Sequence, residues 1–384
     1  SVEIQVMTNV FSMIWRCGVV AMASALWVSG ALATDDRAIQ FPDVPGFRTV
    51  AVDLHTHSVF SDGLVWPDIR IEEARRDGLD LIAITEHLEY QPHADDIPHP
   101  DQNRSFELAT EYLDQQQLDL LVVNGAEITR DMPPGHVNAV FLADANPLRT
   151  NMVMDAFLAA DRQEAFVFWN HPAYLAHRPD GVARLTDMHR ELIQRRLLHG
   201  IEVANAGNYS AEALQIALDH NLTILGVSDI HGLIDWDYDI HDGGHRTVTL
   251  VLARERTAEA VREALLARRT IAWFNNLLIG REDVLLPLLE TAITVSDAVV
   301  RSQSEVVDVT LSNSSDAAVD LRNTNSYRFA EHSAVVRVPA HGQVTLGVTG
   351  EPQSAFDLEF EVLTALVAPE THPTLRLHIE VEGR

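Results

Sequence analysis

The sequence predicts an α/β chain: a closed, distorted α/β barrel over residues 49–285, then a small all-β, sandwich-like domain over residues 290–384. Three observations carry this reading. Between residue 49 and about residue 280, short apolar runs alternate with amphipathic stretches, giving seven or more β-α units. After Glu290 the apolar period becomes two, the pattern of half-buried antiparallel strands. The chain has 384 residues, 46% hydrophobic and 22% charged, enough for one large core and one smaller one.

The elements follow in order. Residues 18–33 are apolar and uncharged, Arg16 precedes them, and Ala31-Leu32-Ala33 has the small-x-small form of a cleavage site. This is the layout of a secretory signal peptide over residues 1–33, cleaved after Ala33, with translation starting at Met7 or Met13. The run is short for a membrane span of roughly 20 residues, so no stable span is expected. Cleavage removes Cys17, the single cysteine, and leaves a mature chain suited to an oxidising periplasmic or extracellular compartment. Residues 34–48 form a lead-in. Strands are predicted over 49–55, 79–85, 118–128, 137–142, 165–169, 200–203, 222–227, 247–252 and 270–273. Helices are predicted over 67–76, 105–117 and 258–267, the first between Pro67 and Gly78. In the last domain Val307, Val309 and Leu311 alternate with polar residues, as do Leu375, Leu377, Ile379 and Val381.

Charge narrows the function classes. There are 56 acidic and 28 basic residues, a formal net charge of -28, and every basic residue is Arg. So acidic a chain argues against long nucleic acids and anionic membrane surfaces as partners.

The chemistry lies in the histidines and carboxylates of the barrel, which holds most of the 18 His. His55 and His57 close the first strand, and side chains two apart on a strand point the same way. Asp62 follows in the adjoining loop. His87 ends the second strand, Glu127 the third; His136 follows Pro133-Pro134-Gly135. His171 ends the strand over 165–169, and Asp229 and His231 end the strand over 222–227. In a closed α/β barrel such strand ends converge on one mouth, so six His, two Asp and one Glu arrive together as a metal-ligand inventory. The remaining barrel histidines lack this placement and read as surface or packing residues. Arg104, Arg130, Arg178 and Arg246 are candidate phosphate contacts, since Arg presents a planar fork of donors.

The series His55-x-His57, Asp62, His87, Glu127, His136, His171 and Asp229-x-His231 resembles the polymerase and histidinol phosphatase (PHP) superfamily over residues 49–280. The resemblance implies a distorted (β/α)7 barrel with two to three divalent metal ions (Mn, Fe or Zn). Segments such as Ser61-Asp62-Gly63-Leu64, Asn103-Arg104-Ser105 and Met132-Pro133-Pro134-Gly135-His136 resemble a secreted branch similar to bacterial phosphodiesterases acting on small organophosphate diesters. Glu86 departs from the pattern, standing where the family usually has Asp, and is read as a support for His87. Carried over, the resemblance implies one metal on His55, His57, Glu127 and Asp229, a second on Glu127, His136 and His171, and a third on Asp62, His87 and His231. It implies ester hydrolysis by a metal-bridging hydroxide, with Glu127 bridging and Asp229 either accepting the proton or acting purely as a ligand. His231 stands with them in the catalytic set.

Rival functions share some of these residues. An amidohydrolase bridged by a carboxylated Lys is excluded, because the chain has no Lys. A phosphomonoesterase, whose substrate carries an extra negative charge, would want more cationic side chains. A nucleotide or oligonucleotide phosphodiesterase is compatible with the sequence, and so is a secreted metal- or carbohydrate-binding protein. The favoured partner is a small-molecule phosphate ester.

Overall fold

The computed structural model describes residues 38–350 and 354–382. The proposed signal peptide lies outside the described residues. The described residues fall in one compact unit, and no helix among them is long and apolar enough to cross a membrane.

The first eleven strands are β1 (Arg48–Asp53), β2 (Leu81–Ile84), β3 (Leu121–Thr129), β4 (His136–Val140), β5 (Phe166–Trp169), β6 (Gly200–Asn205), β7 (Asn208–Tyr209), β8 (Thr223–Val227), β9 (Val248–Ala253), β10 (Thr270–Phe274) and β11 (Leu277–Gly280). They belong to one sheet, ordered β11-β10-β9-β1-β2-β3-β4-β5-β6-β7, with β8 also on β6. The pairs β1–β2, β2–β3, β5–β6 and β6–β8 are parallel. β4 is antiparallel to both neighbours, as is β9. Central strands such as β2, β5, β8 and β9 are buried along their whole length, which is why they read as unbroken apolar runs.

The sheet curls until β8 meets β9 and β10, where threonine hydroxyls bridge the seam. Thr249 Oγ1 donates to the Gly226 carbonyl (2.7 Å) and accepts from its N–H (3.0 Å), while Thr270 Oγ1 donates to the Ile224 carbonyl (2.7 Å). At the mouth, Thr56 pairs with Ile230, and His57 N donates to the Ile230 carbonyl at 3.0 Å. The result is a distorted barrel, as the repeat of apolar runs predicts.

Helices α1 (Pro67–Arg76), α2 (Arg104–Gln116), α3 (Val153–Asp161), α4 (Asp187–Gln194), α5 (Ala211–Asp219), α6 (Ile234–Asp237) and α7 (Ala258–Leu266) connect these strands, and α8 (Glu282–Ala292) leads out. α1 opens on Pro67, whose fixed φ suits the first turn, and stops before Gly78, which takes a left-handed φ of 68°. Thr186, Ser210 and Thr257 cap α4, α5 and α7 through their side-chain oxygens.

Beyond α8 come β12 (Ile293–Val300), β13 (Val307–Asn313), β14 (Val319–Asn323), β15 (Arg328–Phe329), β16 (Val335–Val338), β17 (Gln343–Thr349), β18 (Ala355–Val362), β19 (Ala365–Leu366) and β20 (Thr374–Glu380). Two four-stranded sheets, β12-β13-β17-β15 and β16-β14-β18-β20, face each other through alternating apolar residues. β19 instead leaves the sandwich and pairs in parallel with β11, extending the barrel sheet. The apolar core does not break at residue 290. One cluster runs from Leu250, Ile271 and Leu285 to Val309, Leu321 and Phe360.

Candidate metal centre

The barrel geometry explains how residues far apart in sequence meet. The parallel strands β1, β2, β3, β5 and β8 end at one mouth. β4 runs the other way, so His136, at its start, reaches the same mouth and sits opposite Thr129 in register. Asp229 and His171 turn the chain there with φ of 50° and 25°, uncommon values for residues with a Cβ.

The ligand atoms form three groups. In the first, Glu127 Oε2 lies 2.7 Å from His55 Nε2 and 3.3 Å from His57 Nε2, and Asp229 Oδ1 lies 3.1 and 3.3 Å from the same nitrogens. Edges of about 3.3 Å are those of a tetrahedron of donors about 2.0 Å from a central cation. In the second, Asp62 Oδ1 faces His231 Nε2 at 3.1 Å and His87 Nε2 at 3.3 Å, with His57 completing the set. In the third, Glu127 Oε1 faces His136 Nδ1 at 2.6 Å and His87 Nδ1 at 3.2 Å. Glu127 therefore offers one oxygen to each of two groups. His171 packs against His136, ring centroids 5.0 Å apart, but does not join the third group; His87 stands where the resemblance implied His171.

Two features of these residues fit divalent ions. Asp62 Oδ1, Glu127 Oε1 and His136 Nδ1 are buried without a hydrogen-bond partner. They stand near opposite charges yet point into shared space, the arrangement a cation satisfies and a hydrogen-bond network does not. Secondly, two of the histidines have their other nitrogen fixed. His55 Nδ1 donates to Glu202 (2.7 Å) and His231 Nδ1 to the Asp229 carbonyl (2.8 Å). Each leaves Nε2 with its lone pair facing the cluster. The set fits divalent ions.

The electrostatics agree. Burial opposes ionisation throughout, yet His231 and His87 hold the Asp62 carboxyl well below the usual range, and His87 and His55 do the same for Glu127. Desolvation works against a charged His87, but Glu127 and Asp62 outweigh it and push the ring up to about 10. His55 is likewise raised despite burial, by Asp229 and Glu202. Burial leaves His171 at about 4, a neutral ring. A field that draws protons this strongly onto imidazoles also favours cations.

Several supporting residues escaped the sequence reading. Glu202, in the apolar-looking run of β6, binds His55 and accepts from the His171 N–H at 2.5 Å and from Asn205 at 2.8 Å. Its only signal was an acidic residue inside a strand. Glu86 does not support His87. Its carboxylate accepts from Ser58 N, Ser58 Oγ and Ser61 Oγ, and Ser61 Oγ meets His57 Nδ1 at 3.2 Å, so it braces His57 instead. The longer Glu side chain reaches past its neighbour to the loop.

A cavity of about 970 Å³ opens over the centre. Asp62, His87, His136, His171, Asp229 and His231 line its floor, with Tyr90, Tyr174 and Leu175 on its walls. None of the four candidate arginines is among the residues that line it. Arg246 is buried, bound to Asp77 (2.9 Å) and Asp53 (3.2 Å). Arg104 pairs with Glu107 and Glu111 on α2. Arg130 is held by Glu89 and the Thr150 carbonyl, and Arg178 by the Arg184 carbonyl. In so acidic a chain, carboxylates and carbonyls already claim these forks.

Comparison with known proteins adds three findings. Residues 293–378 match a family model described as an Ig-like domain (DUF5001). No curated protein matches the chain. Among solved structures, the chain is similar to a two-domain protein from Bacteroides vulgatus containing a predicted PHP-like metal-dependent phosphoesterase. The identity is 42% and the TM-score 0.83, over 89% of this chain and 98% of that one. A lesion-specific endonuclease from Pyrococcus furiosus overlaps at 16% identity and TM-score 0.42, over 65% of this chain and 62% of that one. An amidohydrolase from Chromobacterium violaceum overlaps at 14% and 0.35, over 48% and 88%. Overlaps that low do not bear on chemistry.

Proposed function

Since this chain belongs to the family of PHP-like metal-dependent phosphoesterases, we propose that its substrates are phosphate diesters, small organophosphate diesters foremost, and that it uses two to three divalent ions (Mn, Fe or Zn). The observation that carries the diester reading is the cavity wall. It presents Tyr90, Tyr174 and Leu175 and no arginine. A monoester dianion would gain from cationic forks, whereas a diester brings one charge fewer and a second organic arm, which an aromatic wall accommodates.

Divalent ions bound by these ligands would supply Lewis acidity at the phosphoryl oxygens and lower the pKa of water. The chain's own residues do the rest. Glu127, fully buried, holds its two oxygens toward separate ligand groups and fixes their spacing. Asp229 turns Oδ1 toward His55 and His57, and its Oδ2 accepts from Asn205 Nδ2 at 3.2 Å; the second lone pair of Oδ2 is where it would take a proton. His231, with its side chain 36% exposed, is the ligand most open to the cavity and so best placed to meet substrate.

The test compares bis(p-nitrophenyl) phosphate with p-nitrophenyl phosphate in the presence of Mn²⁺. A kcat/KM at least about tenfold higher for the diester, or about 1.4 kcal/mol in transition-state stabilisation, is expected. The reverse preference would move the protein to the phosphomonoesterases. We also infer export, on the apolar run 18–33. N-terminal sequencing of the secreted protein should begin at Thr34, and an intact leader on a cytoplasmic product would refute this.

A further inference from the structure

Helix α1 follows directly on the loop that carries His57 and Asp62, and its Arg70 lies beneath the metal centre, 1% exposed. Its Nε donates to the His57 carbonyl at 2.8 Å. Its Nη2 donates to the His231 carbonyl at 2.8 Å and the Gly232 carbonyl at 2.5 Å, and its Nη1 pairs with Glu73. The other Glu73 oxygen accepts from Ile234 N at 2.8 Å, anchoring the same loop a second time. One guanidinium thus stitches together the two loops that bring His57, Asp62 and His231 to the second ligand group. A buried ion pair of this kind is a poor source of net stability, because desolvating both charges offsets most of their attraction. What it supplies is geometry. Only the planar fork of Arg can hold carbonyls of both loops and a carboxylate at once.

We propose that Arg70 is a positioning residue for the Asp62–His87–His231 group, setting the distance between its two loops and so deciding whether that group takes its divalent ion. This rests on the metal reading of the site. His57, which both groups share, is also held from its side chain by Ser61 (3.2 Å), and His55 and Asp229 are braced by Glu202 and Asn205, so the first group keeps its donors without Arg70.

The experiment is equilibrium dialysis of the full chain against Mn²⁺, with metal counted per chain and folding followed by circular dichroism. Arg70→Lys keeps the charge and loses the fork. It is expected to fold, to hold one ion fewer than wild type, and to bind its remaining ions with unchanged affinity. A full complement of ions in Arg70→Lys, even with a lowered Tm, would overturn the proposal, as would loss of every ion from a folded variant. If Arg70→Lys does not fold, Glu73→Gln releases the guanidinium from its anchor. It should weaken a single ion at least tenfold, and unchanged affinity for all ions would overturn the proposal. A wild-type chain that takes no ion would defeat the metal reading and this proposal together, an outcome distinct from each of the others.

Discussion

At the scale of single residues, the sequence displays the ligands and hides their supports. His55-x-His57 and Asp229-x-His231 are legible because ligand types stand two apart at strand ends, a spacing with few structural explanations. Glu202 is not legible, since a single acidic residue in β6 carries no pattern and acquires meaning only when its carboxylate is found against His55 Nδ1. Arg70 reads as one more helical arginine until both loops close over it. The supports nonetheless have consequences. Glu202→Gln keeps the volume and removes the charge that orients His55. Metal affinity is expected to fall about 10–100-fold with the fold intact, measured by competition titration with a chromophoric chelator. Unchanged affinity would show that His55 needs no carboxylate behind it.

At the scale of elements, the apolar runs locate most strands within a few residues, because fully buried strands are continuous in sequence. Their pairing is another matter. β4 follows β3 through the short loop 130–135 with no helix between them, and nothing local announces that it runs antiparallel. Likewise β19 is two residues long, and its place on β11 depends on how the sandwich docks. His245 belongs to that junction. Its Nδ1 donates to the Arg246 carbonyl and its Nε2 accepts from Asn276 N at 3.0 Å, while Asn276 in turn bonds both backbone groups of Ala318. His189 plays a similar part in α4, its Nδ1 accepting from Thr186 N and its Nε2 donating to the Pro134 carbonyl. Both rings must be neutral to accept, and burial lowers each to about 4 from the ordinary 6.5. The unfolded chain therefore takes the proton first. Their contribution is fully present above pH 6.5 and is lost as pH falls toward 4, at up to about 1.4 kcal/mol per pH unit for each ring. Urea unfolding at pH 7, 6 and 5 should show a shallower pH slope for His245→Gln than for wild type. Parallel slopes would mean that the ring takes up its proton as readily in the folded chain as in the unfolded one.

At the scale of the whole molecule, a formal charge of -28 coexists with a mouth built to gather cations. The carboxylates there are shared among six imidazoles, with Glu127 fully buried and Asp62 and Asp229 partly so, so they act locally, while most of the remaining acidity lies outside the mouth. The barrel and the sandwich share one apolar core and one edge strand, and the centre sits where β1, β2, β3, β4, β5 and β8 converge. The composition exposes the acidity and the change of period near residue 290, but not the shared core, which is a property of docking. The central claim is that this convergence makes a multinuclear metal centre that carries the phosphoesterase activity. The most direct test strips the purified protein with a chelator, restores Mn²⁺ in steps, and follows ions bound per chain beside hydrolysis of bis(p-nitrophenyl) phosphate, with Glu127→Ala as the comparison. The account predicts two to three ions in wild type, activity that appears only as they bind, and loss of both in Glu127→Ala. Hydrolysis that survives stripping, or a Glu127→Ala protein with full metal and full activity, would contradict it.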